Sequence, residues 1–391
     1  MGCVRRDAVR RVAPAHRIGA KRRVWDGVHA PVMPSRLSRP QLVLAACALA
    51  VSACADGTAT PIAEPVVASF DRMWATVDRE YSYFDYKGVD WLDVRRKYRP
   101  RAQRASTTAE LVAIAHEALG ALRDVHVWII APGGGAVATY QPAHRRNWSP
   151  LMLARARQRD GWMSGSSALG AHIVDGVPVV VLTSFAPGQW HRADFDRLLE
   201  RFREAPALVL DVRMNGGGSD ALAYEVAGRF TATSRTGGYY QFRRGLRHDA
   251  FTPMAARAVV PRGDWQFTRP VVLLTGRGSF SATEGFVSAL RTLPNVVVVG
   301  DTTGGGSGNP SVFPLRDGYG ISVSRWIEYT ADRVPIEGRG IAPDRVVPHD
   351  PGAVAAGEDE TLAAAVVLAR QLASDVDGAG TSMGASRSRR P

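Results

Sequence analysis

The spacing of apolar residues along the chain changes character near residue 126. Between residues 65 and 125, apolar side chains such as Phe70, Trp74, Val77 and Tyr81 recur at helical intervals, which predicts a small bundle of amphipathic helices. Beyond residue 126, short β-branched runs are separated by amphipathic segments. This second pattern predicts strands alternating with helices, and therefore an α/β core with a parallel sheet over residues 126–374.

Several elements of this core can be placed from the pattern. Strands are predicted at 177–182 and 207–212, helices at 194–203, from about 220 and at about 359–374, and an excursion with a hairpin at 239–267. The stretch 271–306 is predicted to be a β-α-β unit, with Ser281 at the turn from the first strand into the helix. Residues 131–176 are rich in Gly, Ala and Arg with weak periodicity, so the pattern does not order them.

The charge of the chain is concentrated at its start. The formal net charge is +12, but residues 1–40 hold ten Lys or Arg against two Asp. The folded part is left with only a small excess of positive charge and no basic stripe interleaved with aromatic residues. This distribution argues against a nucleic-acid partner.

The N-terminal segment has the features of an export signal. Residues 33–53 combine a basic start with an apolar run that is too short to span a bilayer, and the run ends in Val51-Ser52-Ala53-Cys54. That ending resembles a lipoprotein lipobox, which predicts lipidation of Cys54 and anchoring to the membrane of the cell envelope. A plain secretory signal is the alternative. Residues 1–32 are interpreted as an upstream extension, 54–64 as a linker and 375–391 as a disordered tail.

All three cysteines lie within the first 54 residues. The body of the chain is therefore expected to have neither disulfides nor thiolate metal sites. No motif for a metal or a cofactor is found. The strand and glycine turn around 211–218 contain no GxGxxG and no GxxxxGK[ST] pattern, which argues against nucleotide binding.

Ser281 has two interpretations. Ser281-x-x-Glu284 is a capping box, in which the serine closes the start of a helix. A serine at this place could also be a nucleophile, which requires a base, a carboxylate that orients the base, and two donors for an oxyanion. His126, at a predicted helix–strand junction, can be the base and Glu337 the carboxylate. The N–H of Ala282 can be one donor, and Gly217 or Gly218 can supply the other.

Five motifs follow one another along the chain: Leu122-Arg123-Asp124-Val125-His126, Asp211-Val212-Arg213-x-Asn215-x-Gly217-Gly218, Ser281-Ala282-Thr283-Glu284, Gly300-x-x-Thr303-x-Gly305, and Glu337-Gly338-x-Gly340-Ile341-x-Pro343-Asp344. In this order they resemble the tail-specific (carboxyl-terminal processing) and tricorn-core family of serine peptidases, in the branch without a catalytic lysine. The resemblance implies a crotonase-like βα core and a peptide or protein substrate.

The resemblance also implies roles for individual residues: Ser281 as nucleophile, His126 as general base, Glu337 as its acidic partner, Gly217, Gly218 and Ala282 as the oxyanion hole, and Asn215 and Thr303 as substrate contacts. Hydrolysis would then need neither a cofactor nor a metal. A catalytically inactive binding protein on the same fold, or an esterase, is the alternative function. The oligomeric state is left open.

Two departures from the family pattern change the expected mechanism. The processing-protease branch carries a lysine 25 residues after the serine, where this chain has Gly306. The remaining body lysines, Lys87 and Lys97, fall in the predicted helical bundle, so a Ser–Lys mechanism is excluded and His126 must be the base. About 50 residues separate the histidine motif from residue 176, too few for the PDZ domain that many members carry.

Overall fold

The computed structural model describes residues 64–387 of the chain. The predicted leader, its Cys54 and the last four residues lie outside this range. The N-terminal region consists of four helices: α1 (Val66–Glu80), α2 (Phe84–Lys87), α3 (Trp91–Arg104) and α4 (Thr108–Gly120). Helix α4 begins with a capping box between Thr107 and Glu110, a local signal that the sequence itself shows.

A seven-stranded sheet forms the centre of the fold, in the order β14-β10-β9-β6-β5-β4-β3. Strands β5, β6, β9, β10 and β14 run parallel, and β3 and β4 join antiparallel at one edge. The seven strands are β3 (Met163–Ser164), β4 (Leu169–Val174), β5 (Val177–Leu182), β6 (Leu208–Asp211), β9 (Val271–Thr275), β10 (Val296–Gly300) and β14 (Arg345–Val346). The sheet confirms the prediction of parallel strands.

Helices cover both faces of this sheet, and so its central strands are buried on both sides. Strands β5, β6 and β9 are buried along their whole length, in agreement with their unbroken apolar sequences. The helices of this part are α5 (Pro150–Gln158), α6 (Arg192–Glu200), α7 (Asp220–Ala227), α8 (Ala282–Arg291), α9 (Pro351–Ala356) and α10 (Glu360–Arg387). The β-α-β unit predicted at 271–306 is β9-α8-β10, with β9 and β10 parallel and paired in register from Val271 to Thr275.

Two smaller antiparallel sheets complete the fold. One has the order β11-β12-β1-β2, from β1 (Trp128–Ile130), β2 (Ala136–Ala138), β11 (Pro310–Pro314) and β12 (Gly320–Ser324). It shares a buried apolar cluster with the N-terminal helices, including Phe70, Leu111 and Val323. The other has the order β13-β7-β8, from β7 (Arg235–Phe242), β8 (Ala255–Val259) and β13 (Trp326–Thr330). The hairpin expected within 239–267 is β7–β8.

The last helix differs from its prediction. The sequence predicts an end near residue 374 and a disordered tail from 375, whereas α10 continues to Arg387. Since no proline follows Asp359 before Pro391, nothing in the local sequence forces the backbone out of the helix. Within the described range, none of the helices has the length and apolar character that a membrane span requires.

Candidate active site

Two neighbouring strands of the parallel sheet deliver the centre of the site. Strand β6 ends at Asp211 and leads into the Asn215–Gly218 turn, and β9 ends at Thr275 and leads to Ser281. These strands are paired in the sheet, so both turns emerge at the same edge, where open α/β folds place their ligands. A Cβ built on Gly217 would lie 2.8 Å from the Cβ of Ser281. The two turns are therefore in direct contact, and only glycine fits at Gly217.

Ser281 has an unusual backbone conformation for a serine. Its φ is +59° and its ψ is −127°, a sparsely populated region that costs about 1–3 kcal/mol for a non-glycine residue. Its N–H lies 3.2 Å from Oε2 of Glu284 and 3.1 Å from the carbonyl oxygen of Gly306. The side chain of Glu284 thus makes its half of the predicted capping box. The hydroxyl of Ser281 is directed to a different partner.

That partner is His126. The Nε2 atom of His126 lies 3.1 Å from Oγ of Ser281, although the two residues are 155 positions apart. The imidazole is held by Phe280, whose ring stacks on it at 4.6 Å, and by the backbone N–H of His126, which donates to Oδ1 of Asp124 at 2.8 Å. Burial lowers the pKa of His126 to about 4, with Asp124 acting against this shift. The imidazole is therefore neutral at pH 7, as a base must be.

Glu337 lies beside the histidine but is bonded to other groups. Its Oε1 lies 2.6 Å from Nζ of Lys87, and its Oε2 accepts from the N–H of Ser307 at 3.1 Å. One ring nitrogen of His126, one carboxylate oxygen of Asp124 and one of Glu337 lie within 4.8 Å of one another. Among the described residues, Nδ1 of His126 has no hydrogen-bond partner. Glu337 is thus near His126 without being bonded to it.

Lys87 joins the two buried carboxylates. Its Nζ is 3.3 Å from Oδ2 of Asp124 as well as 2.6 Å from Glu337, and only 10% of its side chain is exposed. Tyr81 adds a hydrogen bond of 3.0 Å to Asp124. Burial and the charge of Asp124 raise the pKa of Glu337, while Lys87 opposes that rise. A single lysine therefore offsets the charge of two acids beneath the imidazole.

The backbone donors near Ser281 differ in their availability. The N–H of Gly217 donates to Oδ1 of Asn215 at 3.0 Å, so it is already used. Within residues 64–387, the N–H groups of Gly218 and Ala282 donate to no protein acceptor. Gly218 has a φ of +137°, and a Cβ there would lie 2.2 Å from the carbonyl carbon of Phe185. Of the two glycines predicted as alternatives for the second donor, Gly218 is the one whose N–H has no acceptor among the described residues.

Comparison with known proteins identifies the architecture around this site. Residues 176–347, which contain the serine and glutamate motifs, match the model of peptidase family S41, and residues 67–120 match the tricorn protease C1 domain. The first match identifies residues 176–347 as a peptidase family S41 region. The two matched regions correspond to the α/β core and to the N-terminal helices.

Individual relatives agree with this match. The chain is 31% identical over 142 residues to carboxyl-terminal-processing peptidase 2, chloroplastic, of Arabidopsis thaliana, a match covering 36% of this chain and 26% of the relative. It is 33% identical over 263 residues to tricorn protease homolog 1 of Streptomyces coelicolor, covering 63% of this chain and 21% of the relative. The matches thus span about a quarter of the length of these relatives.

A solved structure extends the similarity over most of the fold. A protein from Parabacteroides merdae that is assigned as a peptidase is 29% identical and superposes with a TM-score of 0.69. The match covers 78% of this chain and 96% of that one. The helical region and the α/β core therefore occur together in another member of the fold.

Two motif residues that were predicted to contact substrate have partners within the protein. Thr303 is completely buried; its Oγ1 donates to Oε1 of Glu284 at 2.5 Å and accepts from the N–H of Ile341 at 2.7 Å. Asn215 is also completely buried and holds the N–H of Gly217. The two substrate contacts stay predictions, and Nδ2 of Asn215 has no hydrogen-bond partner among the described residues.

Two residues of the Gly300-x-x-Thr303-x-Gly305 motif donate hydrogen bonds to Glu284. Its buried carboxylate accepts from Oγ1 of Thr303 and from the N–H groups of Gly305 and Gly306, both at 2.8 Å. Burial raises the pKa of Glu284 to about 7, although these donors oppose the rise. The motif is thus a cradle that ties the start of α8, and with it Ser281, to the following loop.

The position of the missing S41 lysine is sterically closed. A Cβ on Gly306 would lie 2.1 Å from the ring of Phe280 and 2.8 Å from the side chain of Val125. The space that a longer residue would need at position 306 is therefore occupied by the ring of Phe280, which stacks on His126.

Sequence reasoning missed Lys87 and Asp124 as members of the site. Lys87 was placed in the helical bundle and set aside, yet its side chain reaches across to Glu337, 250 residues away in sequence. Asp124 stands two residues before His126 inside a quoted motif, and that proximity was a usable signal. No pattern in the sequence around Lys87 indicates its role, since it depends on how the helices pack on the core.

Proposed function

We propose that this chain is a serine peptidase that hydrolyses peptide bonds through an acyl-enzyme on Ser281, with His126 as general base. The contact of 3.1 Å between Nε2 of His126 and Oγ of Ser281 carries the proposal. In the first step the hydroxyl proton passes to Nε2 while Oγ adds to the substrate carbonyl carbon. His126 then returns that proton to the leaving amine as the C–N bond breaks, and water attacks the ester by the same route in reverse.

Glu337 is the proposed partner of the protonated base. The imidazolium that forms on His126 needs an acceptor for its Nδ1–H, and Nδ1 is without one in the described structure. A carboxylate oxygen of Glu337 lies within 4.8 Å of a ring nitrogen. We expect this carboxylate to move toward Nδ1 as the charge develops, because the attraction of an imidazolium then competes with that of Lys87.

The N–H groups of Ala282 and Gly218 are the proposed oxyanion donors. Ala282 follows the nucleophile at the first position of α8, where helix N–H groups are left free and the helix dipole favours a negative charge. Gly218 belongs to the turn that touches Ser281. Removing one donor of this kind typically costs about 10²–10³ in kcat.

Labelling with a fluorophosphonate tests the assignment. The wild-type protein should be labelled at Ser281, Ser281→Ala should be unlabelled, and His126→Ala should label and turn over far more slowly. Ser279 offers a matched control, since it precedes the nucleophile by two residues but is buried, with its hydroxyl bonded to the carbonyl of Val212. Labelling that persists in Ser281→Ala, or full activity in His126→Ala, contradicts the proposal.

The alternatives predict other results. A binding protein without catalysis has no need to hold the serine and histidine at hydrogen-bond distance, and their contact favours the enzyme. An esterase would follow the same steps, except that its leaving group would be an alcohol and not an amine. Matched peptide and ester substrates with the same acyl part separate the two, because only a peptidase cleaves the amide at a comparable rate.

The remaining proposals concern the setting of the enzyme. We propose a crotonase-type βα core without a PDZ domain, and export to the cell envelope with a lipid anchor at Cys54, which lies outside the described residues. In the native host, soluble protein that is unchanged by Cys54→Ser would argue against the anchor.

A further inference from the structure

A cleft of about 410 Å³ opens beside the proposed nucleophile. One wall is made by residues next to the catalytic groups: Val125 precedes His126, Phe280 precedes Ser281, and Gly216 belongs to the turn that packs on Ser281. The opposite wall comes from the segment 138–148, which the sequence pattern did not order. The cleft therefore lies next to Ser281 and His126, and its size falls within the range of ligand pockets.

The charged side chains that line this cleft are all basic. Arg146, Arg277 and His144 line it, and none of the fifteen residues around it is Asp or Glu. Burial is the main cause that lowers the pKa of His144; Arg277 and, less strongly, Arg146 lower it further, while Asp301 opposes them. A cleft lined by one sign of charge concentrates ligands of the other sign.

The two arginines are not equally free. Arg277 donates to the carbonyl of Thr303 at 3.1 Å, and its Nε lies 4.0 Å from a carboxylate oxygen of Asp301, so part of its charge is offset. Arg146 is exposed and lies over the ring of Trp148, 5.4 Å from its centroid. It forms no ion pair with any acid of residues 64–375. Arg146 is thus the group whose charge is available to a ligand.

We propose that this cleft is a substrate subsite that binds a carboxylate of the peptide, with Arg146 as its principal contact and Arg277 as a second. The proposal rests on the function proposed above and adds its substrate preference. Arginine suits this role because its planar group can hold both oxygens of a carboxylate. The carboxylate can come from an acidic side chain or from the free C-terminus of the peptide.

A set of peptides can separate these two sources. We would use hexapeptides of Ala and Leu in which a single Glu is moved through each position, each paired with its Gln counterpart, and each prepared as free acid and as amide. The wild-type protein should show a kcat/KM about tenfold higher for one Glu position than for Gln if a side chain is bound. It should show a similar preference for free acid over amide if the C-terminus is bound.

Arg146→Gln should reduce this preference to less than threefold, mainly through KM. Arg145→Gln is the matched control, because Arg145 is the exposed neighbour but does not line the cleft. It should keep the preference. Higher salt should weaken the preference of the wild type, since the interaction is between charges near the surface.

A binding measurement keeps this test separate from that of the catalytic proposal. Ser281→Ala cannot form an acyl-enzyme, but the fluorescein-labelled Glu and Gln peptides, or the labelled free-acid and amide peptides, should still bind it with different affinities in an anisotropy titration. Equal affinities within both pairs, or equal losses in Arg145→Gln and Arg146→Gln, would overturn the subsite. Failure of fluorophosphonate labelling with a retained difference in affinity would overturn the catalytic proposal alone.

Discussion

Replacing Lys87 should destabilise the fold more than replacing Lys97. In Lys87→Met the side chain keeps much of its length, but Asp124 and Glu337 lose the ammonium group at 3.3 and 2.6 Å. Breaking a buried ion pair by removing one partner typically costs about 3–5 kcal/mol. Glu337 can limit the cost by taking up a proton, since burial already raises its pKa. We therefore expect a loss of about 2–3 kcal/mol at pH 7.

Urea unfolding measures this loss as a fall in the midpoint at constant m-value. Lys97→Met is the control: Lys97 is the other lysine of the described chain and is exposed on α3, so its replacement should change stability by less than about 0.5 kcal/mol. In the double variant Lys87→Met/Glu337→Gln the buried excess of negative charge is reduced. A large part of the stability should then return. A cost for Lys87→Met no larger than for Lys97→Met would refute the reasoning.

Three further changes test other parts of the site. The unfolding free energy should fall by about 3 kcal/mol as the pH drops from 6.5 to 4. His126 has a pKa of about 4 in the folded state and 6.5 in the unfolded state, so the unfolded state binds the proton first. In His126→Gln this part of the pH dependence should vanish. Glu284→Gln should cost about 2–3 kcal/mol in urea unfolding, since an amide cannot accept from all the donors that face the carboxylate, and an unchanged midpoint would contradict the cradle. Gly306→Ala should cost about 1–3 kcal/mol and slow fluorophosphonate labelling, because its Cβ displaces Phe280 from His126; normal labelling would show that the stack is dispensable.

The parts of the fold that local patterns determine were predicted. Strands β5, β6 and β9 are apolar because both of their faces are covered, and a covered strand is recognisable without knowing what covers it. The position of Ser281 was predicted for the same reason: a strand, a turn and a capped helix follow one another within a few residues. The pairing of Ser281 with His126 required the additional resemblance to a family, because the two residues approach through tertiary packing alone.

The parts that were not predicted depend on the direction of a side chain. Thr303 and Asn215 are polar and occur in motifs, and both turned inward to satisfy Glu284 and Gly217. Polarity shows that a group needs a partner, but it does not show whether that partner is protein or substrate. Segment 138–148, which forms one wall of the cleft, was also not predicted, because an irregular segment buries few residues and therefore shows no regular spacing of apolar residues.

Lys87 shows most clearly why the helical region belongs to the site. It ends α2, while the base stands at the start of the small sheet and the acid in a loop after β13. Tyr81 and Tyr83 of the same region donate to Asp124 and to the carbonyl of Ser307, whose N–H in turn holds Glu337. Ser281 and His126 lie on other elements. The groups that orient Glu337, however, come from α2 and the residues just before it. Docking of the helices on the core therefore sets the positions of Asp124 and Glu337 beside His126, which is a physical reason for the two matched regions to occur together in one chain.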